Sequence, residues 1–260
     1  VRRSTSYEDD FVSDRDGDDP VEFDLMAGTH NIRVMLREDG TRLDRLELVC
    51  VAEIQPTSTP VPLTTLFEDN FNRGDNDDLG GNWDESENGN NNMHIDNNRM
   101  CVESSNNDNR RPMVTHTFAP VNNGQVVLSF DFDWVRTRNE NEYFVYMQLG
   151  DSADVANNDL VDGIAANVVW GNIGQQERLA YQLNGNRNGL VTISGPHRII
   201  ITADLNSNTY SVNVDGTTYQ TGIPFDEAVT KIDTVRFFAS KVNPDNFDPT
   251  CFDNVLVGRP

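Results

Sequence analysis

Two aspartates on one predicted strand are the first residues whose type and spacing suggest chemistry. Asp131 and Asp133 alternate with Phe130 and Phe132, so they share the strand face opposite the two rings. Retaining glycoside hydrolysis needs two carboxyl groups that face each other across a sugar, one as acid and one as nucleophile. No glutamate flanks these aspartates, and the four histidines follow no metal-binding spacing. The sequence favours a protein that is not an enzyme, although a hydrolase whose acid and base come from different strands stays open.

Sugar binding is a second kind of chemistry that the sequence allows. Sugars stack on aromatic rings and form hydrogen bonds with planar polar groups. Trp83 and Trp134 fit better in a core, whereas Trp170 and Tyr146 are equally compatible with a core and with a site. On the polar side of the central strands and at their ends, the candidate carbohydrate-binding residues are Asp133, Arg136, Tyr146, Gln148 and Trp170.

The charge balance narrows the class of partner. The chain has 42 Asp and Glu against 20 Lys and Arg, a formal net charge of −22 and a pI near 4.3. Such a chain lacks the cations that neutralise nucleic-acid phosphates or anionic membrane surfaces. Neutral sugars, cations and basic partners are favoured, although acidity also serves solubility alone. No apolar run is long enough to span a bilayer, so membrane insertion is not expected.

A stretch rich in Pro, Thr and Ser divides the chain. Residues 54–65 carry no charge and are typical of an extended linker. The linker separates an acidic lead with a few strands, residues 1–53, from a long segment, residues 66–260, that has room for a complete domain.

The part before the linker predicts a small, incomplete sheet. Residues 21–25, 29–37 and 43–51 alternate as strands do, but three strands are marginal alone. Residues 25–34 and 37–46 resemble the C-terminal end of galactose-binding-like carbohydrate-binding modules. Because an open sheet edge invites pairing, a neighbouring molecule could complete this sheet by strand addition.

After the linker, short strands alternate with tight turns. Asn184-Gly185 and Asp215-Gly216 are strong hairpin signals. Regular short strands of this kind predict an all-β, antiparallel β-sandwich. The clearest predicted strands are residues 125–134, 143–149, 163–170, 179–183, 197–203, 209–215 and 235–239.

This long segment resembles the concanavalin A-like lectin/glucanase superfamily, and its laminin-G-like branch in particular. The resemblance covers residues 66–260 and implies a jelly roll, but it identifies the fold better than the ligand. It rests on the order of weak motifs at residues 67–72, 79–83, 149–151, 197–201, 210–216 and 252–257.

The resemblance implies a structural calcium between the opening segment and the last strand. Calcium takes several carboxylate and carbonyl oxygens. The implied ligands are Asp69 or Asn70, a carbonyl near Asn98, and Asp253.

The jelly roll that the resemblance implies also allows a disulfide, because its first and last strands are neighbours. Cys101 lies in an early predicted strand and Cys251 in the last one, so a bridge between them is expected, with two buried thiols as the alternative. Cys50 would then be free or paired outside the chain.

The combined expectation is a non-catalytic carbohydrate-binding or adhesion module of a larger secreted protein, at the cell surface or outside the cell, with a glycan as partner. One alternative is a structural subunit of an extracellular filament or surface assembly that contacts copies of itself. Another is a fragment of a polysaccharide-degrading enzyme.

Overall fold

A computed structural model describes residues 62–86, 92–103, 112–133, 144–153, 162–173, 176–193, 195–240 and 250–260. The predicted incomplete sheet at 1–53 and most of the predicted linker lie outside these ranges. Within them no helix is long and apolar enough to cross a membrane.

Fifteen strands make up the described structure. Each predicted strand after the linker is confirmed to within a few residues. The strands are β1 Thr64–Asp69, β2 Asp84–Ser86, β3 Asn92–Asp96, β4 Arg99–Glu103, β5 Met113–Val121, β6 Gln125–Asp133, β7 Phe144–Gly150, β8 Ile164–Ile173, β9 Gln176–Leu183, β10 Asn186–Thr192, β11 His197–Asp204, β12 Thr209–Val214, β13 Thr217–Pro224, β14 Ile232–Ser240 and β15 Thr250–Arg259.

The strands form two antiparallel sheets that pack face to face, so the predicted all-β sandwich is confirmed. The eight-stranded sheet has the order β13-β12-β11-β6-β15-β4-β3, with β1 as a further partner of β15. The seven-stranded sheet has the order β10-β9-β8-β7-β14-β5-β2. Neighbouring strands are often distant in sequence, which gives the long-range connections expected of a lectin-like sandwich.

Two-residue turns set the register of the hairpins. In each turn both central residues have positive φ, the requirement of a type I′ turn, which Asn, Asp and Gly meet at low cost. The predicted turns at Asn184-Gly185 and Asp215-Gly216 are confirmed. The φ values are 51° and 60° at Asn97-Asn98, 51° and 75° at Asn184-Gly185, and 51° and 85° at Asp215-Gly216.

An aromatic cluster joins the two sheets. Phe130, Phe132 and Phe252 point inward from the eight-stranded sheet and meet Phe237 and Trp170 from the other sheet. The ring centroids of Phe237 and Phe252 lie 4.8 Å apart, and those of Phe132 and Trp170 lie 5.9 Å apart. These contacts between sheets bury the largest apolar side chains and form the centre of the core.

The opening and closing segments meet as the sequence predicts. β1 pairs with β15, and Phe67 lies opposite Val257. Strand β1 begins at Thr64, so the last two residues of the predicted linker are part of the sheet. Cys101 and Cys251 lie opposite each other on β4 and β15 and form a disulfide, which confirms the predicted pairing.

Candidate functional site

The outer face of the seven-stranded sheet carries the most unusual chemistry of the described chain. Along β7, Val145, Met147 and Leu149 point into the core, so the residues between them point outward. Those residues are Tyr146 and Gln148, and both are nevertheless fully buried. We call this side of the seven-stranded sheet the outer face.

A chain of hydrogen bonds crosses the outer face at right angles to the strands. Arg236 Nε donates to Gln148 Oε1 at 2.6 Å, and Gln148 Nε2 donates to Asn167 Oδ1 at 2.9 Å. Asn167 Nδ2 then donates to Asp226 Oδ2 at 2.8 Å, and the Asn184 backbone N–H donates to Asp226 Oδ1. We call these five residues the polar row. Its buried amides hold one another in single orientations because each bond fixes the next.

Next to the polar row lies an aromatic patch. The rings of Tyr146 and Phe238 are parallel, with centroids 4.4 Å apart. Val169 and Ala180 extend this buried patch across β8 and β9. Phe144, two residues before Tyr146 on β7, lies at the margin of this patch and is only partly buried.

Arg187 spans much of the outer face. It begins on β10, at the edge of the sheet, and its guanidinium reaches β7 across β8 and β9. Nε and Nη2 both donate to the Tyr146 hydroxyl, at 3.1 and 2.6 Å. The guanidinium carbon lies 3.6 Å from the centroid of the Phe144 ring. The exposed arginine is therefore held in place by a stacking contact and two hydrogen bonds.

Arg178 lies in the same region. Phe144, Gly171 and Arg178 are in register on β7, β8 and β9, so all three belong to one row of the outer face. Gly189 on β10 leaves room for the Arg178 side chain, since a Cβ there would lie 3.1 Å from Arg178 Nη1. Gln176 Oε1 accepts hydrogen bonds from Arg178 Nε and Nη2. We call Arg178 and Arg187 the arginine pair.

This arrangement has the parts that recognise sugars. The partly buried Phe144 and the planar guanidinium groups offer an apolar surface and fixed donors, while the buried polar row holds the sheet beneath them rigid. We identify the outer face around Phe144 and the arginine pair as the candidate site.

The predicted sugar-binding residues that the structure describes do not come together. Trp170 is 1% exposed and packs against Phe132 in the core, so its ring has no face for a ligand. Tyr146 and Gln148 lie on the outer face, but both are fully buried and support other residues. Asp133 lies on the other sheet, and Arg136 lies outside the described residues. We therefore base the candidate site on other side chains of the outer face, and sugar binding by the predicted set stays a prediction.

Asp69, from the predicted calcium set, already has a cation beside it. Its carboxylate accepts hydrogen bonds from Arg73 Nη1 and Nη2 at 2.8 and 2.9 Å, from the Phe71 N–H, and from Trp83 Nε1. Burial raises the pKa of Asp69, but these bonds outweigh burial and leave the pKa below its ordinary value. A calcium ion at Asp69 would have to displace Arg73, so this carboxylate does not fit the implied ion.

The other members of the predicted calcium set have different roles. Asn98 forms the turn between β3 and β4, and Asn70 Oδ1 accepts the Asn72 N–H. Burial raises the pKa of Asp253, and the nearby Asp131 carboxylate raises it further. Among the described residues no group of three or more His, Cys, Asp or Glu side chains has an arrangement that could hold a metal ion.

The two aspartates of the predicted strand pair with arginines. Asp131 lies 2.9 Å from Arg198 Nη1, and Asp133 lies 2.8 Å from Arg99 Nη1. Both pairs lie on the outside of the eight-stranded sheet, opposite the buried Phe130 and Phe132. These carboxylates are held in cross-strand ion pairs.

The residues that sequence reasoning missed are Phe144 and the two arginines. Strand alternation could have identified Phe144, because a period of two puts it on the same face as Tyr146 and Gln148. Arg187 lies between Asn184-Gly185 and Asn188-Gly189, and both dipeptides predict turns. Only the first is a turn, since Asn188 and Gly189 lie inside β10, beside an irregularity in its pairing with β9.

Comparison with known proteins establishes the fold. No protein-family model and no curated protein sequence matches the chain. A sialidase structure superimposes with a TM-score of 0.57 at 10% identity over 74% of this chain, which corresponds to only 18% of the sialidase. The carbohydrate recognition domain of Emp47p gives 0.53 at 15% identity, covering 76% of this chain and 96% of that domain.

A Bacillus subtilis protein of unknown function with a galectin-like fold gives a TM-score of 0.50 at 8% identity, covering 76% of this chain and 98% of that protein. At such identities the likeness concerns the fold alone. The described chain is a lectin-like β-sandwich.

Proposed function

We propose that this protein is a carbohydrate-binding module that takes its ligand on the outer face of the seven-stranded sheet. The observation that carries the proposal is the exposed residue Arg187, whose guanidinium is stacked on Phe144 and hydrogen-bonded to Tyr146. A pre-ordered planar group beside a ring edge binds a sugar without first losing side-chain entropy. Similar folds include a domain named for carbohydrate recognition, which supports the proposal at the level of fold.

The proposed module is non-catalytic and extracellular. The Cys101–Cys251 disulfide is compatible with an oxidising compartment, where such bonds form and persist. The strong negative charge suits a soluble surface protein, and adhesion to glycans on a cell or in a matrix follows from sugar binding.

A glycan array with the purified chain tests the proposal. Binding of at least one glycan is expected, and Phe144→Ala should weaken it about tenfold, because loss of an aromatic contact costs about 1–1.5 kcal/mol. Tyr219→Ala is the matched control, since Tyr219 is an exposed aromatic residue, 42% accessible, on the edge strand of the other sheet. A blank array, or equal losses in the two variants when both keep the wild-type Tm, would overturn the proposal.

Self-assembly is a second candidate, and one observation favours it. Strand β13 is at the edge of the eight-stranded sheet, seven of its eight residues are exposed, all but Ile223, and it contains no charged residue. An uncharged edge strand is open to pairing with another chain. Light scattering at rising concentration tests this candidate. Assembly that Thr218→Lys prevents would support it, and a monomer at all concentrations would exclude it.

A further inference from the structure

We infer that the arginine pair binds the negative group of an acidic glycan, either a carboxylate or a sulfate. This inference rests on the proposed function and specifies the class of sugar. The inferred ligand is acidic, whereas the net charge of −22 by itself favours neutral or cationic partners.

The first argument concerns how the basic side chains are paired. In the described residues, four of them lie within ion-pair distance of aspartates: Arg73, Arg99, Arg198 and Lys231. The arginine pair differs from these four, because its hydrogen-bond partners in the described residues are the neutral groups of Gln176 and Tyr146. Arg236 also donates to a neutral group, Gln148, but it is 1% exposed and so is closed to a ligand. In a chain with twice as many acidic as basic residues, two arginines that have no carboxylate partner among the described residues mark a place where the anion can come from a ligand.

The second argument concerns geometry. Arg178 belongs to the row of Phe144 and Gly171, and the guanidinium of Arg187 lies over that same Phe144 ring. Gly171 lies between Phe144 and Arg178 in this row and has no side chain, so no side chain of β8 separates Phe144 from Arg178 there. Phe144 and Tyr146 use one face and two N–H groups of Arg187, while Nη1 donates to no described residue.

The third argument concerns the strength expected of such a contact. Guanidinium groups bind carboxylate and sulfate through paired, charge-assisted hydrogen bonds, which are about twice as strong as neutral ones. Because the rest of the surface repels anions, non-specific binding of polyanions is weak. An acidic glycan that does bind this protein therefore needs a local site.

Matched oligosaccharides test the inference. The probes are each neutral oligosaccharide that binds the wild-type chain, together with its carboxylated and its sulfated counterpart, and titration calorimetry gives the affinity. At least one acidic form should bind about tenfold or more tightly than its neutral parent. The better of the two acidic forms identifies the group. Raising the salt concentration should narrow the difference.

Arg187→Gln and Arg178→Gln should each remove most of the preference for the acidic form. Arg259→Gln is the control, because Arg259 is an exposed arginine at the end of β15 on the other sheet and its loss changes the net charge equally. Neutral and acidic forms that bind alike, or a preference that survives both site variants, would overturn the inference while leaving the proposed function intact. Failure to bind any glycan would instead overturn the proposed function, and the inference with it.

Discussion

Arg73 holds Asp69 in a two-pronged ion pair, with Nη1–Oδ1 and Nη2–Oδ2 distances of 2.8 and 2.9 Å. The Asp69 side chain is 8% exposed and that of Arg73 is 32% exposed, so the carboxylate is shielded from water more than the guanidinium is. Arg73 Nε also donates to the Leu79 carbonyl, and Trp83 Nε1 donates to Asp69. The opening segment of the sandwich is therefore folded around the guanidinium group of Arg73.

This pair leads to a prediction about calcium. Calcium bound through Asp69 or Asn70, a carbonyl near Asn98 and Asp253 stays a prediction of the sequence, and the Arg73–Asp69 ion pair gives a reason to expect no such ion. We expect the Tm to be the same in EDTA and in about 100 times a typical calcium Kd, where a bound ion would add about 2.7 kcal/mol. Differential scanning calorimetry measures this. A calcium-dependent rise in Tm that Asp253→Asn abolishes would show instead that the ion binds.

Two neighbouring glycines allow a test of how closely the loop packs on this pair. Gly80 and Gly81 both have positive φ, 59° and 63°, so alanine at either position costs about 1–2 kcal/mol of backbone strain. A Cβ at Gly81 would also lie 3.1 Å from Asp69 Oδ2 and 3.3 Å from Arg73 Nη2, whereas a Cβ at Gly80 meets nothing within 4 Å.

We therefore expect Gly81→Ala to lower the free energy of unfolding by about 1 kcal/mol more than Gly80→Ala does, as when a well-packed site is overfilled. Urea denaturation of both variants measures the difference. Equal losses would show that the ion pair moves aside freely.

The stability contributed by Asp69 should depend on pH. Its pKa is lower in the folded chain than the ordinary 3.8, so the folded state binds fewer protons than the unfolded state. The stabilisation is then complete above about pH 4 and is lost as the pH falls through the lower folded value. The gap in unfolding free energy between the wild type and Asp69→Asn should shrink as the pH falls below 3.8. A gap that stays constant would mean that Asp69 contributes no ionic stabilisation.

The disulfide gives a prediction for the core of the closing strand. The bridge closes a loop of 150 residues, and removal of such a link costs about 3–5 kcal/mol when the reduced chain is otherwise unstrained. The Cys101→Ala, Cys251→Ala double variant should therefore melt well below the oxidised wild type. A reducing agent should lower the wild-type Tm and leave the variant unchanged. Equal melting of wild type and variant under oxidising conditions would contradict the prediction.

The sequence predicts the strands and hairpin turns of the sandwich because those signals are local. Alternation in β6 and β11 and the dipeptide Asp215-Gly216 each lie within a few residues. The ion-pair partners of Asp131 and Asp69 depend on packing instead. Arg198, the partner of Asp131, is distant in sequence. Arg73 is only four residues from its partner Asp69, but the loop that positions it has no periodic pattern.

Trp170 shows why the site was harder to predict than the fold. Its strand contains the run Val168-Val169-Trp170, in which apolar residues do not alternate with polar ones, so the period cannot tell which face each residue takes. In the structure Val168 and Trp170 point into the core, and Val169 joins the buried patch on the outer face. Because both faces of β8 are buried, this strand lacks the alternation of apolar and polar residues that would distinguish core residues from site residues.

The polar row provides the last prediction, since Gln148 is its central link. Gln148→Leu keeps the size of the side chain but removes the acceptor for Arg236 Nε and the donor to Asn167. The loss of these two buried hydrogen bonds, one of them made by a charged group, costs at least about 2 kcal/mol in total. We expect a loss of that size in urea denaturation.

Gln125→Leu is the control for this variant, because Gln125 bonds Asp204 on the surface and its loss should cost less than about 0.5 kcal/mol. If the two glutamine variants lose the same stability, the polar row does not act as a linked network. If Gln148→Leu alone is unstable and also weakens glycan binding, the row supports the ligand face as well as the sheet, because Tyr146 and Gln148 are neighbours on the same face of β7.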